Sequence, residues 1–134
     1  MSQENLDLVR SIYARWQRGD FATAEWAHPA IEFAIVGGPD PGRWRGVDGM
    51  AEGWYRFLEA WEDFHVIPDR HRDLDDERVL VLIRRSGRGK ASRMDLEGMH
   101  SKAADLFSIC DGMVMSLVHY WDREQALADL GLAE

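Results

Sequence analysis

Asp105 and His119 are the two side chains whose types and surroundings most favour chemistry. They occur in apolar segments on either side of a predicted turn at Asp111-Gly112. A carboxyl group or an imidazole on a core-facing strand is costly unless it is paired or used. Side by side, the carboxylate would orient the imidazole as a base that abstracts a proton next to a carbonyl group. Alternatively, burial keeps Asp105 protonated, and it donates a hydrogen bond to a substrate oxygen.

The turn decides whether these two side chains share a face of the sheet. A two-residue turn places Asp105 opposite Val118 and points His119 to the other side. A type I turn followed by a glycine bulge places Asp105 opposite Leu117 and diagonal to His119, so that both point the same way. A change of register by one residue reverses the outcome. We favour the bulged turn, because the residue before Asp111-Gly112 is not a turn former.

Hydrophobic periodicity predicts the elements that position the pair. Helical spacing and capping residues predict helices over Ser2–Arg18, Phe21–Ala27, Val47–Asp63 and Asp122–Gly131. Alternation predicts strands over Ile31–Val36, His65–Asp73, Arg78–Arg85, Met94–Cys110 and Met113–Trp121, with a loop over Gly37–Gly46. Helices that precede a four-strand meander predict an α+β fold. We expect one domain, residues 1–134, in which three helices cover the concave face of a cone-shaped, curved antiparallel sheet.

Composition limits the partners and the setting. The 134 residues carry a net charge of -8, which disfavours nucleic acid and anionic membranes as partners. Cys110 is the single cysteine, which suits a reducing compartment, and the amino-terminal residues lack the plan of a signal peptide. We therefore expect a cytoplasmic protein.

Several segments resemble one known family. The residues around Arg18-Gly19-Asp20, the entry His28–Phe33, the turn Arg45-Gly46, the strand Glu77–Leu82 and the closing Trp121–Leu127 look like the SnoaL-like group. That group belongs to the nuclear-transport-factor-2-like superfamily of cone-shaped α+β domains, which includes ketosteroid isomerases and polyketide cyclases. The resemblance implies a ligand cavity in the cone and a homodimer formed through the open face of the sheet.

The isomerase pattern carries over only in part. Asp105 matches the protonated acid that donates to the developing oxyanion, and Trp121 matches an aromatic wall of that pocket. The tyrosine of the oxyanion hole falls on Ile12, with Tyr13 one position away and about 100° round the helix. The general-base aspartate falls near Ala34, which can move no proton. The resemblance therefore does not imply steroid isomerisation by that mechanism.

Other side chains are candidates for the pocket or for alternative sites. The expected pocket lining is Ile12, Tyr13, Trp16, Met50, Trp54, Phe107 and Trp121. Glu32 shares the strand parity of Ala34, although its position at a strand entry favours a solvated surface. The histidines His65, His71 and His100 lack the close spacing of metal ligands, so no metal site is expected. The basic segment Arg84–Arg93 is interpreted as a solvated hairpin tip.

Two functions remain open. The first is an enzyme without cofactor that isomerises, cyclises or dehydrates a small, largely apolar carbonyl compound, with Asp105 and His119 as the acid–base pair. The second is a non-catalytic protein that binds an apolar ligand or acts as a dimeric scaffold. The missing tyrosine and base of the isomerase pattern favour the second.

Overall fold

The computed structural model describes residues 3–21, 24–38, 41–90 and 102–133. Within these ranges the helices are α1 (Gln3–Gln17), α2 (Gly46–Glu59) and α3 (Arg123–Asp129). The strands are β1 (Ala27–Val36), β2 (Gly42–Arg45), β3 (Trp61–Asp73), β4 (Arg78–Gly89), β5 (Lys102–Cys110) and β6 (Met113–Tyr120). No helix in the described ranges is both long enough and apolar enough to cross a membrane.

The six strands form one curved sheet in the order β2-β1-β6-β5-β4-β3. The α+β fold is confirmed, but the sheet is mixed rather than antiparallel throughout, because β1 runs parallel to β6. Strands β3 to β6 form the expected meander, whose neighbours are antiparallel. The parallel pair joins strands from opposite ends of the chain, a pairing that local periodicity does not encode.

Helices cover both faces of the sheet. The inner face, which carries Val81, Phe107 and Leu117, packs against α1 and α2 in the main core. The outer face carries Leu80, Leu82 and Ala104, and α3 covers it with Ala126 and Leu127. The three helices expected over the concave face are those that precede the meander; α1 and α2 lie there, and the outer face, which was expected to stay open, is covered in part by the terminal helix α3. Its apolar residues follow the last strand and meet the apolar side chains of the outer face.

Some predicted element boundaries are wrong. The segment predicted as the short helix Phe21–Ala27 includes residues 22–23, outside the described ranges, and Ala27 already begins β1. Pro29 disfavours helical backbone before it, which suits an extended entry. Part of the predicted loop is β2, because Trp44 pairs with Phe33 and stacks on it at 5.5 Å.

Two further boundaries concern α2 and β5. Helix α2 ends before Trp61, which begins β3. Residues 94–101 of the predicted strand Met94–Cys110 lie outside the described ranges, and the rest of that segment forms β5.

Candidate functional site

The β5–β6 hairpin brings Asp105 opposite His119 by a route that neither predicted register contains. Asp111 and Gly112 have φ values of 52° and 76°, so they form a two-residue turn with both centres left-handed. Val114 pairs with Ile109 and Ser116 pairs with Ser108, so Met115 between them forms a bulge that adds one residue to β6. The preferred bulge at the turn is wrong, yet the two side chains share the inner face as expected.

Asp105 and His119 form a hydrogen-bonded pair inside the core. Asp105 Oδ1 lies 2.6 Å from His119 Nδ1, and each side chain is 1% exposed. On the inner face the pair is flanked by Ile35 of β1 and Val81 of β4, which occupy the neighbouring positions of the same row. The pair thus lies in the middle of the sheet, with strands on both sides.

Tyr13 of α1 supplies a third polar group. Its phenol donates to Asp105 Oδ2 at 2.5 Å, and the ring packs edge-on against Phe107 and Trp16. The assignment of the tyrosine position to Ile12 is therefore corrected, because the helix is oriented so that Tyr13 reaches the acid while Ile12 packs in the core. Burial, together with the charge and hydrogen bond of Asp105, raises the pKa of Tyr13 well above its ordinary value, so the phenol remains a donor.

Arg85 of β4 is a member of the site that sequence reasoning missed. Its Nη1 lies 3.3 Å from His119 Nε2, and its Nη2 donates to the Trp121 carbonyl at 2.9 Å. The guanidinium lies 4.2 Å from the centre of the Trp121 ring, and the residue is 2% exposed. The alternation of Val79, Val81 and Ile83 extends to Arg85, and this pattern indicates that the Arg85 side chain points to the buried face. The interpretation of Arg84–Arg93 as a solvated hairpin tip is therefore wrong for Arg85.

The position of Arg85 also indicates which ring nitrogen of His119 carries the hydrogen. A guanidinium can only donate, so His119 Nε2 accepts and its Nδ1 carries the hydrogen that points to Asp105. Asp105 then accepts from both Tyr13 and His119, which favours a carboxylate over the protonated acid implied by the resemblance. Burial lowers the pKa of Arg85 to about 10, although the charges of Asp105 and Asp122 act to raise it. The guanidinium is therefore cationic at neutral pH and balances the carboxylate across a neutral ring.

Aromatic rings enclose the imidazole. The ring centres of Phe57 and Trp54 lie 5.4 and 6.0 Å from that of His119, and Trp121 stacks on Trp61 at 5.8 Å. The indole nitrogen of Trp54 is buried and has no hydrogen-bond partner among the described residues. The remaining predicted lining residues, Trp16, Met50 and Phe107, are buried in the same core. Aromatic side chains therefore fill most of the cone and surround the hydrogen-bonded network of Tyr13, Asp105, His119 and Arg85.

Two cavities formed by described residues lie beside the polar network of Tyr13, Asp105, His119 and Arg85. A groove of about 570 Å³ runs along α2 and is lined in part by Trp54 and Tyr55. A second hollow of about 250 Å³ lies on the outer face, beside Glu32, Ala34 and Val118. Neither of these two is lined by Asp105 or His119. Among the expected pocket residues, Trp54 alone lines the groove.

The other candidate residues lie apart from the site. Glu32 is exposed and pairs with Arg45 at 3.3 Å, in agreement with a solvated position. His65 is exposed on β3, His71 is half-buried near the Tyr13 ring, and His100 lies outside the described ranges. In the part of the chain that the structure describes, no three histidine, cysteine or acidic side chains are close enough to hold a metal ion.

A known protein family matches this chain over most of its length. The model of the SnoaL-like domain matches residues 9–117, which is most of the chain. The chain belongs to the SnoaL-like domain family. The matched range of this SnoaL-like chain includes Tyr13, Arg85 and Asp105, while His119 lies two residues beyond it. No functionally curated protein matches the SnoaL-like chain.

Solved structures share the fold at low sequence identity. A nuclear-transport-factor-2-like protein of unknown function from Burkholderia pseudomallei is 18% identical, with a TM-score of 0.74 over 96% of this SnoaL-like chain and 97% of that one. A similar protein from Burkholderia thailandensis is 24% identical, with a TM-score of 0.74 over 89% and 90% of the two chains. A candidate polyketide cyclase from Sinorhizobium meliloti is 20% identical, with a TM-score of 0.62 over 88% and 99%.

Proposed function

We propose that this protein abstracts a proton next to the carbonyl group of a small, largely apolar compound, without a metal or organic cofactor. The observation that carries the proposal is the buried chain Tyr13–Asp105–His119–Arg85, whose members are each 2% exposed or less. The aromatic rings around His119 favour an apolar substrate. The fold shared with a candidate polyketide cyclase supports a carbonyl substrate.

Each member of the chain has a distinct role. Tyr13 and Asp105 fix the tautomer of His119 that leaves Nε2 as the accepting nitrogen. When substrate enters, Arg85 transfers its hydrogen bond from Nε2 to the carbonyl oxygen, and Nε2 takes the proton from the neighbouring carbon. The electron pair of the broken C–H bond moves onto the carbonyl oxygen, where the guanidinium stabilises the enolate. In a β,γ-unsaturated ketone, return of the proton from Nε2 to the γ-carbon completes an isomerisation. In a cyclisation the enolate carbon attacks a second carbonyl group, and the alkoxide that forms takes the proton back from Nε2.

Exchange of carbon-bound hydrogen tests this proposal without knowledge of the natural product. Small cyclic and aryl ketones are incubated with the protein in deuterium oxide, and deuterium incorporation next to the carbonyl is followed by proton NMR. We expect His119→Ala to lower the exchange rate by about 10²–10⁴-fold, the usual contribution of a general base. The matched control is His65→Ala, which removes an exposed imidazole from β3. Equal exchange by wild type and His119→Ala for every accelerated ketone would refute the proposal.

A second candidate function is binding of an apolar ligand without chemistry. The specific observation in its favour is that Asp105 is already saturated by two donors and His119 by hydrogen bonds on both nitrogens. Such a network can serve to fix a unique core. This function predicts saturable binding of apolar ketones with no deuterium incorporation above the buffer rate.

We also propose a cytoplasmic homodimer formed through the outer face of the sheet. Val36, Leu106 and Val118 are only partly buried on that face, where they pack against the cluster that contains Leu80, Ala104 and Ala126. Contiguous apolar surface of this kind is a common feature of interfaces. Light scattering should therefore give twice the 15.4 kDa chain mass, and Val118→Lys should return it to a single chain mass. A wild-type mass of 15.4 kDa would contradict the dimer.

A further inference from the structure

The groove along α2 has the dimensions of a small-molecule site. It lies between the segment that follows α1 and one side of α2, and its volume of about 570 Å³ falls in the range typical of ligand pockets. Among the described residues, its lining is formed by Gly19, Asp20, Phe21, Ala51, Glu52, Trp54, Tyr55 and Leu58. The groove is separate from the Asp105–His119 pair, so it can be tested independently of the proposed chemistry.

Aromatic rings form much of its wall. The ring centres of Phe21 and Trp54 are 6.0 Å apart and tilted by 47°. Tyr55 is a large side chain that stays exposed, at 64%. Helical spacing does not bury Tyr55, because the inward stripe of α2 is occupied by Met50, Trp54 and Phe57. An exposed tyrosine beside buried aromatic rings gives a ligand both an apolar surface and the negative face of a π-system.

The charges around the groove are of one sign. Asp20 and Glu52 are the charged side chains among its described lining residues, and neither is basic. Arg56 follows Glu52 by one helical turn, but it lines a different hollow beside Pro41 and Trp44. Within the described ranges Glu52 makes no ion pair. Carboxylates combined with aromatic faces are the chemistry that recognises organic cations.

We propose that this groove binds a small organic cation, an amine or a quaternary ammonium group attached to an apolar body. The apolar body lies against Phe21, Trp54 and Leu58, and the cationic group lies between the ring of Tyr55 and the carboxylate of Glu52. The net charge of -8 attracts such ligands over longer distances. Anionic ligands of the same size are disfavoured by Asp20 and Glu52.

Benzyltrimethylammonium is a suitable probe, and its neutral carbon isostere 2,2-dimethylpropylbenzene has the same shape without the charge. Binding is followed by intrinsic fluorescence and by chemical-shift changes of the α2 amides. We expect the cation to bind about 10-fold more tightly than the isostere, since cation–π and carboxylate contributions are each modest at an exposed site. Higher salt should reduce this preference.

Two substitutions locate the effect, and a third controls for charge. Glu52→Gln should weaken binding of the cation by about 3–5-fold, and Tyr55→Leu by a similar factor, while both leave the neutral isostere unchanged. Glu59→Gln removes a carboxylate from the same helix but outside the groove, and should leave both affinities unchanged. Equal affinities for cation and isostere, or an equal loss in Glu52→Gln and Glu59→Gln, would overturn the proposal. Glu52 and Tyr55 are not members of the network Tyr13–Asp105–His119–Arg85, so ketone exchange by their variants reports on the proposed function separately from these titrations.

Discussion

At the scale of single residues, the site depends on one acid that satisfies two donors. Asp105 accepts from Tyr13 at 2.5 Å and pairs with His119 at 2.6 Å, all within a core that excludes water. Removing one member of a buried network leaves the others without partners, which is more costly than the net value of the bond itself. The four polar side chains are therefore expected to respond to substitution as a unit.

Tyr13→Phe isolates one bond of this network. The phenylalanine retains the packing against Trp16 and Phe107 but removes the donor to Asp105. We expect the free energy of unfolding to fall by about 2 kcal/mol, the usual value of a hydrogen bond to a charged group. Urea denaturation measures it, with Tyr55→Phe as the exposed control, expected to change stability by less than about 0.5 kcal/mol. A Tyr13→Phe protein as stable as wild type would show that the bond contributes nothing to folding.

His71 predicts a pH dependence of stability. Burial, and then the charge of Arg10, lowers the pKa of His71 in the folded protein. The unfolded chain therefore binds more protons as the pH falls below the ordinary histidine pKa of about 6.5, and stability decreases on acidification. Urea unfolding at pH 7.5 and pH 5 should show a smaller loss for His71→Gln than for wild type. The control His65→Gln should lose as much as wild type, and identical losses in all three proteins would contradict the assignment.

At the scale of elements, two glycines of helix α2, Gly49 and Gly53, face Trp44 of β2. A Cβ added at Gly53 would lie 2.7 Å from Trp44 Cδ2 and 3.0 Å from Phe33 Cε2. At Gly49 the nearest atom, Trp44 Cβ, would be 3.5 Å away, an ordinary contact. Close packing thus depends on one of the two glycines and tolerates change at the other.

Alanine substitutions at these two sites should have opposite effects. We expect Gly53→Ala to lower the free energy of unfolding by about 1–3 kcal/mol through overpacking. Gly49→Ala should raise it by up to about 1 kcal/mol, because alanine has the higher helix propensity. Chemical denaturation of both variants beside wild type measures the difference. Equal effects at the two positions would contradict the described contact between α2 and Trp44.

The hairpin shows what local sequence could and could not predict. Asp111-Gly112 was recognisable as a turn, and the strands on both sides were recognisable from their alternation. The position of the extra residue was not, because Met115 is an ordinary strand former and its bulge arises from pairing with β5. The predicted shared face of Asp105 and His119 was correct, although it was reached through the wrong bulge.

At the scale of the whole molecule, contacts between residues far apart in the chain determine the features that sequence patterns did not predict. The SnoaL-like α+β fold and its meander were predictable from periodicity and resemblance; the comparisons confirm the family and the fold, and the strand pairing confirms the meander. The parallel β1–β6 pair, the position of α3 on the outer face and the placement of Arg85 were not. Each depends on which apolar surface remains uncovered after the other elements have packed. Arg85 is an arginine at a core position because Asp105 and the Trp121 ring are there to receive it.

His119 presents Nε2 as an acceptor, with its hydrogen on Nδ1 held by Asp105. Two-dimensional proton–nitrogen-15 NMR of the imidazole at pH 7 reports directly which ring nitrogen carries hydrogen. We expect a protonated Nδ1 and an unprotonated Nε2, and loss of that assignment in Asp105→Asn. A hydrogen on Nε2, or on both nitrogens, would refute the proposed chemistry, because Nε2 could then take no proton from a substrate.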